Sequence, residues 1–244
     1  MTKLSVNLNK IALLRNSRGR DFPNVVNFAS KFIARGVQGI TVHPRQDERH
    51  ITMQDAYDLG DYLRNNDAVE YNIEGYPSEE FLKLVEAIKP TQCTLVPDAP
   101  DQLTSDHGWD LTKDMALVKS TCQRLQKAGV RAAIFLDPNA KHVELAAQSG
   151  CDRIELYTES FAANYDNDKS AEIFANYLNA AKKANELSIE VNAGHDLDLT
   201  NLAKFLTIPN ILEVSIGHVL TVECIEQGMD VVVEQYLAIC NNSA

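Results

Sequence analysis

Eight short apolar segments alternate with longer segments of helical periodicity along this chain of 244 residues. Such alternation predicts a parallel sheet in which a helix connects each strand to the next. The predicted strands cover residues 4–8, 39–42, 69–73, 91–96, 130–136, 152–157, 189–192 and 212–216. Eight strand–helix units in a chain of this length predict an α/β fold, a (β/α)8 or TIM barrel, as a single domain over residues 1–244. An open, doubly wound sheet is the alternative, although no segment of the sequence matches GxGxxG.

Capping residues and glycines set the predicted helix boundaries. Thr52 and Ser78 are suited to cap the helices that follow them, and Gly36, Gly129 and Gly150 each end a helical segment. The predicted helices cover residues 24–34, 53–63, 112–127, 140–148, 170–186, 199–205 and 221–239, and one more begins after Ser78. The long connection 97–110 has the length of loops that are often functional.

The net charge narrows the classes of binding partner, and the cysteine content indicates the cellular compartment. The formal net charge of −11 predicts a surface that repels nucleic acid and anionic membranes, so neither is expected as a partner. No apolar run approaches the ~20 residues that span a bilayer. Five scattered cysteines without a CxxC motif, together with a start that lacks a signal-peptide pattern, predict reduced thiols and a cytoplasmic protein.

Three histidines and one glutamate each stand at the end of a predicted strand: His43, Glu74, His195 and His218. In a barrel of parallel strands the carboxyl ends meet at one mouth, where the active site lies. Histidine transfers protons near neutral pH, and a partly buried glutamate has the raised pKa of a general base. We therefore predict acid–base chemistry, with an ion pair between Glu74 and a neighbouring arginine as the structural alternative.

Basic and amide side chains surround the same predicted mouth. Arg45, Arg49 and His50 follow the second strand, and Asn7, Asn9, Lys10, Arg15, Arg18 and Arg20 follow the first. In an acidic chain these two groups predict local phosphate sites, since arginine binds phosphate through paired donors. The alternative is that both groups are solvated surface loops. Gly217 and His218 open a further expected phosphate site, built from backbone N–H groups after strands seven and eight.

A metal site and a substrate-covering loop are weaker hypotheses. His43, Glu74 and His195 would suffice as a ligand set, but close histidine pairs such as HxH or HExxH are missing from the sequence, so no metal is expected. Thr104 lies in a loop that can fold over a substrate.

The residues around these positions resemble one family, pyridoxine 5′-phosphate synthase. The similar segments are Val6-Asn7, Leu14-Arg15-Asn16-Ser17-Arg18-Gly19, Gly39-Ile40-Thr41-Val42-His43-Pro44-Arg45 with Arg49-His50-Ile51, Asn72-Ile73-Glu74, Leu95-Val96-Pro97, Asn192-Ala193-Gly194-His195 and Ile216-Gly217-His218. They follow the chain in order over nearly its whole length.

This resemblance implies a barrel with extra helices that assembles as a homo-octamer and needs no metal or organic cofactor. It implies the ring-closing step of vitamin B6 synthesis, in which 3-amino-2-oxopropyl phosphate and 1-deoxy-D-xylulose 5-phosphate give pyridoxine 5′-phosphate, phosphate and water. His43 and Glu74 would then be proton acceptors and His195 the proton donor. The aminoketone phosphate would contact Asn7, Arg18, Gly217 and His218, and the deoxyxylulose phosphate would contact Arg45, His50 and Thr104.

Four residues, at three places in the chain, depart from the commoner pattern of that family. Asn9-Lys10 stands where many members have Asp-His, and Asp196 and Glu159 each replace a glycine. Lys10 retains the ability to contact a phosphate or hydroxyl group, although a titrating imidazole is lost. These changes affect the expected details of substrate binding more than the expected reaction.

Two other functions share the predicted phosphate sites. A phosphosugar isomerase or epimerase on the same fold needs one substrate, whereas the separate positions of Arg18 and Arg45 favour two phosphates. A non-catalytic barrel that binds a phosphorylated metabolite has no need of His43, Glu74 and His195 together.

Overall fold

The barrel predicted from the sequence is confirmed in a computed structural model, which describes residues 1–98, 102 and 105–243. Eight parallel strands pair in chain order, and the last pairs with the first to close the sheet. They are β1 Lys3–Asn7, β2 Gly39–Val42, β3 Glu70–Gly75, β4 Gln92–Leu95, β5 Arg131–Leu136, β6 Arg153–Tyr157, β7 Glu190–Gly194 and β8 Ile211–Ile216. Closure excludes the doubly wound sheet.

The helices cover the outer face of the barrel. They are α1 Asn9–Asn16, α2 Val25–Ile33, α3 Met53–Leu63, α4 Glu79–Ile88, α5 Leu111–Lys127, α6 Ala140–Ser149, α7 Glu159–Ala163, α8 Ser170–Glu186, α9 Leu202–Phe205, α10 His218–Gln227 and α11 Met229–Asn241. Across the described residues, none of these helices combines the length and the hydropathy required to cross a membrane.

Capping chemistry places the helix starts as expected. Thr52 and Asp55 form a reciprocal capping box at the start of α3, and the Ser78 side chain accepts a hydrogen bond from the Phe81 N–H group at the start of α4. Gly150 ends α6 with a φ of +76°, in the left-handed region that glycine adopts without strain. These local signals therefore set the boundaries independently of the barrel.

Three helical segments differ from the prediction. The short helices α1 and α7 were not predicted, and neither has a side-chain cap that would mark its start. The predicted helix over residues 221–239 was wrong as one element, because the chain breaks at Gly228, whose φ is +90°. The segment instead forms two helices, the first of which begins at His218, directly after β8.

The barrel interior is polar and hydrogen-bonded. Thr94 on β4 donates to Asn72 Oδ1 at 3.0 Å and lies 3.5 Å from Glu155 Oε2 on β6. Because β4 and β6 are not neighbours in the sheet, these side chains point into the interior. Asn192 Nδ2 donates to Glu213 Oε1 at 3.0 Å in the same space. The apolar side chains of the strands form the core with the helices outside.

The connection between β4 and α5 is anchored to the barrel at its second end. The Trp109 indole N–H donates to the Leu95 carbonyl oxygen at 2.8 Å, and the Trp109 backbone N–H donates to the Phe135 carbonyl oxygen at 3.0 Å. Gly108 packs directly against the backbone of Leu136 and Asp137. A side chain at position 108 has no room, so this glycine lets the loop approach β5.

We predict that Gly108→Ala lowers the free energy of unfolding by about 1–3 kcal/mol, the usual cost of overpacking. An added Cβ atom would lie 2.4 Å from Asp137 N and 2.5 Å from Leu136 Cα, and backbone atoms there cannot rotate away. Urea unfolding followed by fluorescence of Trp109, the single tryptophan, measures both stability and loop position.

Gly129→Ala is the matched control for this prediction. Its φ of +81° imposes a conformational cost, but an added Cβ would meet no atom of the described residues within 4 Å. The control should leave the native Trp109 emission unchanged, whereas Gly108→Ala should shift it. An unshifted emission spectrum and unchanged stability in Gly108→Ala would show that the loop does not pack as described.

Candidate active site

The carboxyl ends of β2, β3 and β7 bring His43, Glu74 and His195 to one mouth of the barrel. His43 Nδ1 lies 3.9 Å from Glu74 Oε2. The positive charge of His195 is close enough to contribute to the lowered pKa of His43. The three side chains predicted to move protons therefore share one region, although their chain positions span about 150 residues.

Glu74 is nearly enclosed at this mouth. Burial, followed by the negative charges of Glu155, Asp98 and Glu213, raises the pKa of the Glu74 carboxyl well above its ordinary value. Asn7 Nδ2 donates to Glu74 Oε2 at 3.5 Å. A carboxyl group with a raised pKa is a stronger base once it is ionised, and it can exchange protons closer to neutral pH.

His43 is held in its neutral form. Burial lowers its pKa well below the ordinary value, and the positive charges of Arg45 and His50 add to this effect. Its backbone N–H donates to Asn9 Oδ1 at 2.9 Å, so Asn9 positions the start of the loop that carries His43. A neutral imidazole has a free lone pair, which suits His43 to accept a proton.

Arg45 and His50 lie beside His43 on the same loop. Arg45 Nη1 donates to Asp98 Oδ2 at 2.6 Å, and Arg45 Nη2 donates to the Gln102 carbonyl oxygen at 2.7 Å. Burial, then the charges of Arg45 and Lys10, lowers the pKa of His50 to about 4. Its Nδ1 accepts the Ile51 N–H at 2.9 Å, which assigns the imidazole proton to Nε2 as a donor.

His195 and Asp196 both have backbone conformations that are unusual outside glycine. Their φ values are +83° and +56°, so the chain turns sharply as it leaves β7. The His195 ring packs edge-on against Tyr157 with ring centroids 5.2 Å apart. Its Nδ1 lies 3.5 Å from Asp196 Oδ2. Strain of this kind is common where a side chain must be held in one orientation.

The side chains at positions 10 and 196 are near enough to interact electrostatically. The pKa of Asp196 is lowered by contact with His195 and, in smaller part, by the charges of His218 and Lys10. Lys10, His218 and Asp196 therefore lie close together at the mouth. Glu159, the third departure, is exposed in the first turn of α7.

The chain after β8 leads directly into a helix that lacks a side-chain cap among the described residues. Gly217 precedes α10, and no side chain from the described portion of the chain caps the start of this helix of ten residues. Its first N–H groups therefore remain available for a ligand, and the helix dipole favours an anion there. A Cβ atom at Gly217 would lie 3.0 Å from Asn7 Cβ, so glycine permits the close approach of β1.

The three arginines near the N-terminus do not act as one patch. Arg15 forms an ion pair with Asp55 of the α3 capping box and donates to the His50 carbonyl oxygen, so it stabilises the loop. Arg18 and Arg20 are exposed in the loop after α1. Thr104 lies outside the described residues.

Three further acidic residues near the site were not predicted. Burial raises the pKa of Glu155 to about 8 and of Glu213 to about 7. A Cβ atom at Gly194 would lie 2.3 Å from Glu155 Oε1, which shows how closely this carboxyl approaches the end of β7. Asp98 is the third. Glu155 lies inside an apolar strand segment. This charged residue was the sequence signal that could have indicated a polar barrel interior.

The metal hypothesis finds no support in the arrangement of side chains. Within residues 1–98, 102 and 105–243, no three histidine, cysteine, aspartate or glutamate side chains are placed to hold a metal ion. His43, Glu74 and His195 thus lie near each other without forming a ligand set.

Several proteins named pyridoxine 5′-phosphate synthase are similar to this chain over its length. The protein from Bacteroides fragilis (strain YCH46) is 48% identical over 97% of this chain and 98% of its own. The Flavobacterium johnsoniae protein is 50% identical with the same coverage. The Parabacteroides distasonis protein is 47% identical over 100% of both chains.

Solved structures share the architecture at low identity. Phosphoribosyl anthranilate isomerase from Thermotoga maritima superposes with a TM-score of 0.63 and 11% identity over 99% of both chains. A Coccidioides immitis protein described as a putative fructose-1,6-biphosphate aldolase superposes with a TM-score of 0.65 and 7% identity over 100% of this chain and 92% of its own. These similarities show the barrel fold alone.

The family profile described as "Pyridoxal phosphate biosynthesis protein PdxJ" matches residues 4–242. The match includes all eight strands and every strand end that carries a candidate residue. With relatives at about 48% identity over nearly the full length, the chain belongs to the PdxJ family of pyridoxal phosphate biosynthesis proteins.

Proposed function

We propose that this chain is a pyridoxine 5′-phosphate synthase, an enzyme that condenses 3-amino-2-oxopropyl phosphate with 1-deoxy-D-xylulose 5-phosphate. The products are pyridoxine 5′-phosphate, inorganic phosphate and water. The observation that carries the proposal is the family match over residues 4–242, together with relatives of that name at about 48% identity. Phosphorylated small molecules are accordingly its substrates.

His43, Glu74 and His195 perform the proton transfers in this proposal. The amine of one substrate attacks the ketone of the other, and each later loss of water or phosphate moves protons without a redox change. His43, neutral through burial, and Glu74, with its raised pKa, accept protons. His195, braced by Tyr157, donates them. Proximity of these groups lets one pocket serve several steps.

Two separate anion sites hold the two phosphates. Arg45 and the Nε2–H group of His50, with Thr104, bind the deoxyxylulose phosphate. Gly217, His218 and the start of α10, with Asn7 and Arg18, bind the aminoketone phosphate. Lys10 contributes positive charge between these sites, since it affects both His50 and Asp196, and Asn9 acts through the His43 backbone.

We further infer a cytoplasmic homo-octamer. Large apolar side chains on the surface support self-association, among them Phe22 and Ile225, which are 71% and 75% exposed. Ile225 lies near the end of α10 that is opposite the proposed phosphate site. No metal or organic cofactor takes part in the proposed reaction.

We predict that the purified protein, mixed with both fresh substrates, releases pyridoxine 5′-phosphate and inorganic phosphate in equal amounts. Liquid chromatography and a phosphate assay measure the two products. Omitting either substrate should abolish both signals, and a chelator should leave them unchanged. An isomerase or epimerase would instead convert one substrate alone, and a binding protein would convert neither.

A further inference from the structure

Asp98 is a buried residue whose two carboxyl oxygens have unequal environments. It follows β4, and its relative exposure is 5%. Oδ2 accepts hydrogen bonds from Arg45 Nη1 at 2.6 Å and from Ser105 Oγ at 2.8 Å. Oδ1 has no hydrogen-bond partner among the residues that the structure describes. A buried acceptor without a partner is rare in folded proteins and requires an explanation.

The position of Asp98 relates it to the reacting groups. Its negative charge contributes to the raised pKa of Glu74, and its ion-pair partner Arg45 follows His43 by two residues. Arg45 and Asp98 are both almost completely buried. Asp98 therefore contacts the proposed phosphate ligand and lies near the proposed base, so both parts of the proposed site adjoin it.

We infer that Asp98 Oδ1 accepts a hydrogen bond from a hydroxyl group of the phosphorylated polyol that Arg45 binds, so that Asp98 determines specificity for a hydroxylated substrate. The inference rests on the proposed function, because it uses Arg45 as a phosphate ligand. Asp98 does more than hold Arg45, because Oδ2 makes that contact and Oδ1 takes no part in it.

The donor on the ligand is a neutral hydroxyl and not an ammonium group. Arg45 already contacts the carboxyl, and Arg49 Nη1 donates at 3.2 Å to the same Gln102 carbonyl oxygen that Arg45 contacts. A third cation would be repelled by both guanidinium groups in a poorly hydrated site. A hydroxyl group supplies the missing donor without adding charge.

This arrangement allows the site to discriminate strongly between ligands with and without a hydroxyl group. A site that is built to hydrogen-bond a hydroxyl group rejects an analogue without it, because the buried acceptor then stays unpaired in the complex. Asp98 thus selects the hydroxylated partner of a condensation between two phosphorylated substrates.

Calorimetric titration of the full-length protein with glycerol 3-phosphate, n-propyl phosphate and 3-aminopropyl phosphate tests the inference without turnover. The wild type should bind glycerol 3-phosphate at least about 10-fold more tightly than n-propyl phosphate. Asp98→Asn, which keeps the size and loses the charge, should reduce this preference severalfold. Ser105→Ala is the matched control, since it removes a partner of Oδ2 and should keep the preference.

Each contrary result has a distinct meaning. Equal binding of glycerol 3-phosphate and n-propyl phosphate by the wild type overturns the inference and leaves the phosphate site intact. A preference that persists in Asp98→Asn also overturns it, because the hydroxyl is then recognised elsewhere. Tightest binding of 3-aminopropyl phosphate, dependent on Asp98, overturns the choice of a hydroxyl donor. Failure of all three phosphates to bind contradicts the proposed phosphate site itself.

Discussion

Replacing Glu74 with glutamine should lower kcat by about 10²–10⁴-fold, the usual contribution of a general base. Glutamine has nearly the same shape but cannot accept a proton from the reacting amine or carbon. The Asn7 contact can persist, because the amide oxygen still accepts a hydrogen bond. Steady-state measurement of kcat and KM with both substrates checks this result, and KM should change much less than kcat.

The same substitution should leave the fold intact. Its effect on the free energy of unfolding should depend on pH, and the sign of this dependence follows from the raised pKa of Glu74. The folded-state pKa of Glu74 lies above its ordinary value of 4.5, so ionisation of Glu74 in the folded protein costs stability. This cost is absent below pH 4.5 and grows as pH rises toward the folded-state pKa. Glu74→Gln removes it, so in urea unfolding the variant should gain stability relative to wild type as the pH rises above 4.5.

Glu80→Gln serves as the control for Glu74, because Glu80 is exposed in the first turn of α4, away from the barrel mouth. Its kcat should equal that of the wild type. Near wild-type turnover in Glu74→Gln would remove Glu74 from the proton-transfer role. A lost fold in this variant, seen by circular dichroism, would contradict the stability expectation separately.

Replacing Arg45 with methionine should lower the free energy of unfolding by about 3–5 kcal/mol and abolish binding at one phosphate site. The substitution leaves the buried Asp98 carboxyl without its ion-pair partner, and an uncompensated buried charge is strongly destabilising. Urea unfolding measures the first effect. The KM of the deoxyxylulose phosphate, compared with that of the aminoketone phosphate, measures the second.

A double substitution separates stability from binding. Arg45→Met combined with Asp98→Leu replaces the buried pair by apolar groups, which is often neutral or stabilising. We expect this variant to recover most of the lost stability and none of the lost activity. Recovery of activity would show that Arg45 has only a structural role. A failure to recover stability would show that other contacts of Arg45, such as that with Gln102, dominate.

Local sequence patterns were sufficient to predict the positions of the strands. All eight were predicted to within about two residues, since short segments rich in aliphatic residues between helical segments are recognised from local sequence alone. Helices with strong caps, such as the one after Thr52, were also predictable. The helix α1 was missed because it follows β1 almost directly and has no capping side chain.

The identity of the residues at the mouth also followed from sequence order. Any polar side chain directly after a strand of a closed parallel barrel lies at one end, so His43, Glu74 and His195 were bound to be neighbours. The pairing of Arg15 with Asp55 was not predicted, because the two residues are 40 positions apart. Their meeting depends on how distant segments of the chain fold together.

The amino-acid sequence alone therefore identified the barrel and the side chains around its mouth. The reason is that the alternation of strands and helices, and the residue that follows each strand, can be read from local sequence. Folding in three dimensions set the protonation of His43, His50 and Glu74 and the pairing of Arg45 with Asp98. The physical reason is that desolvation and Coulomb interactions depend on the surroundings of a group, and those surroundings come from segments far apart in the chain.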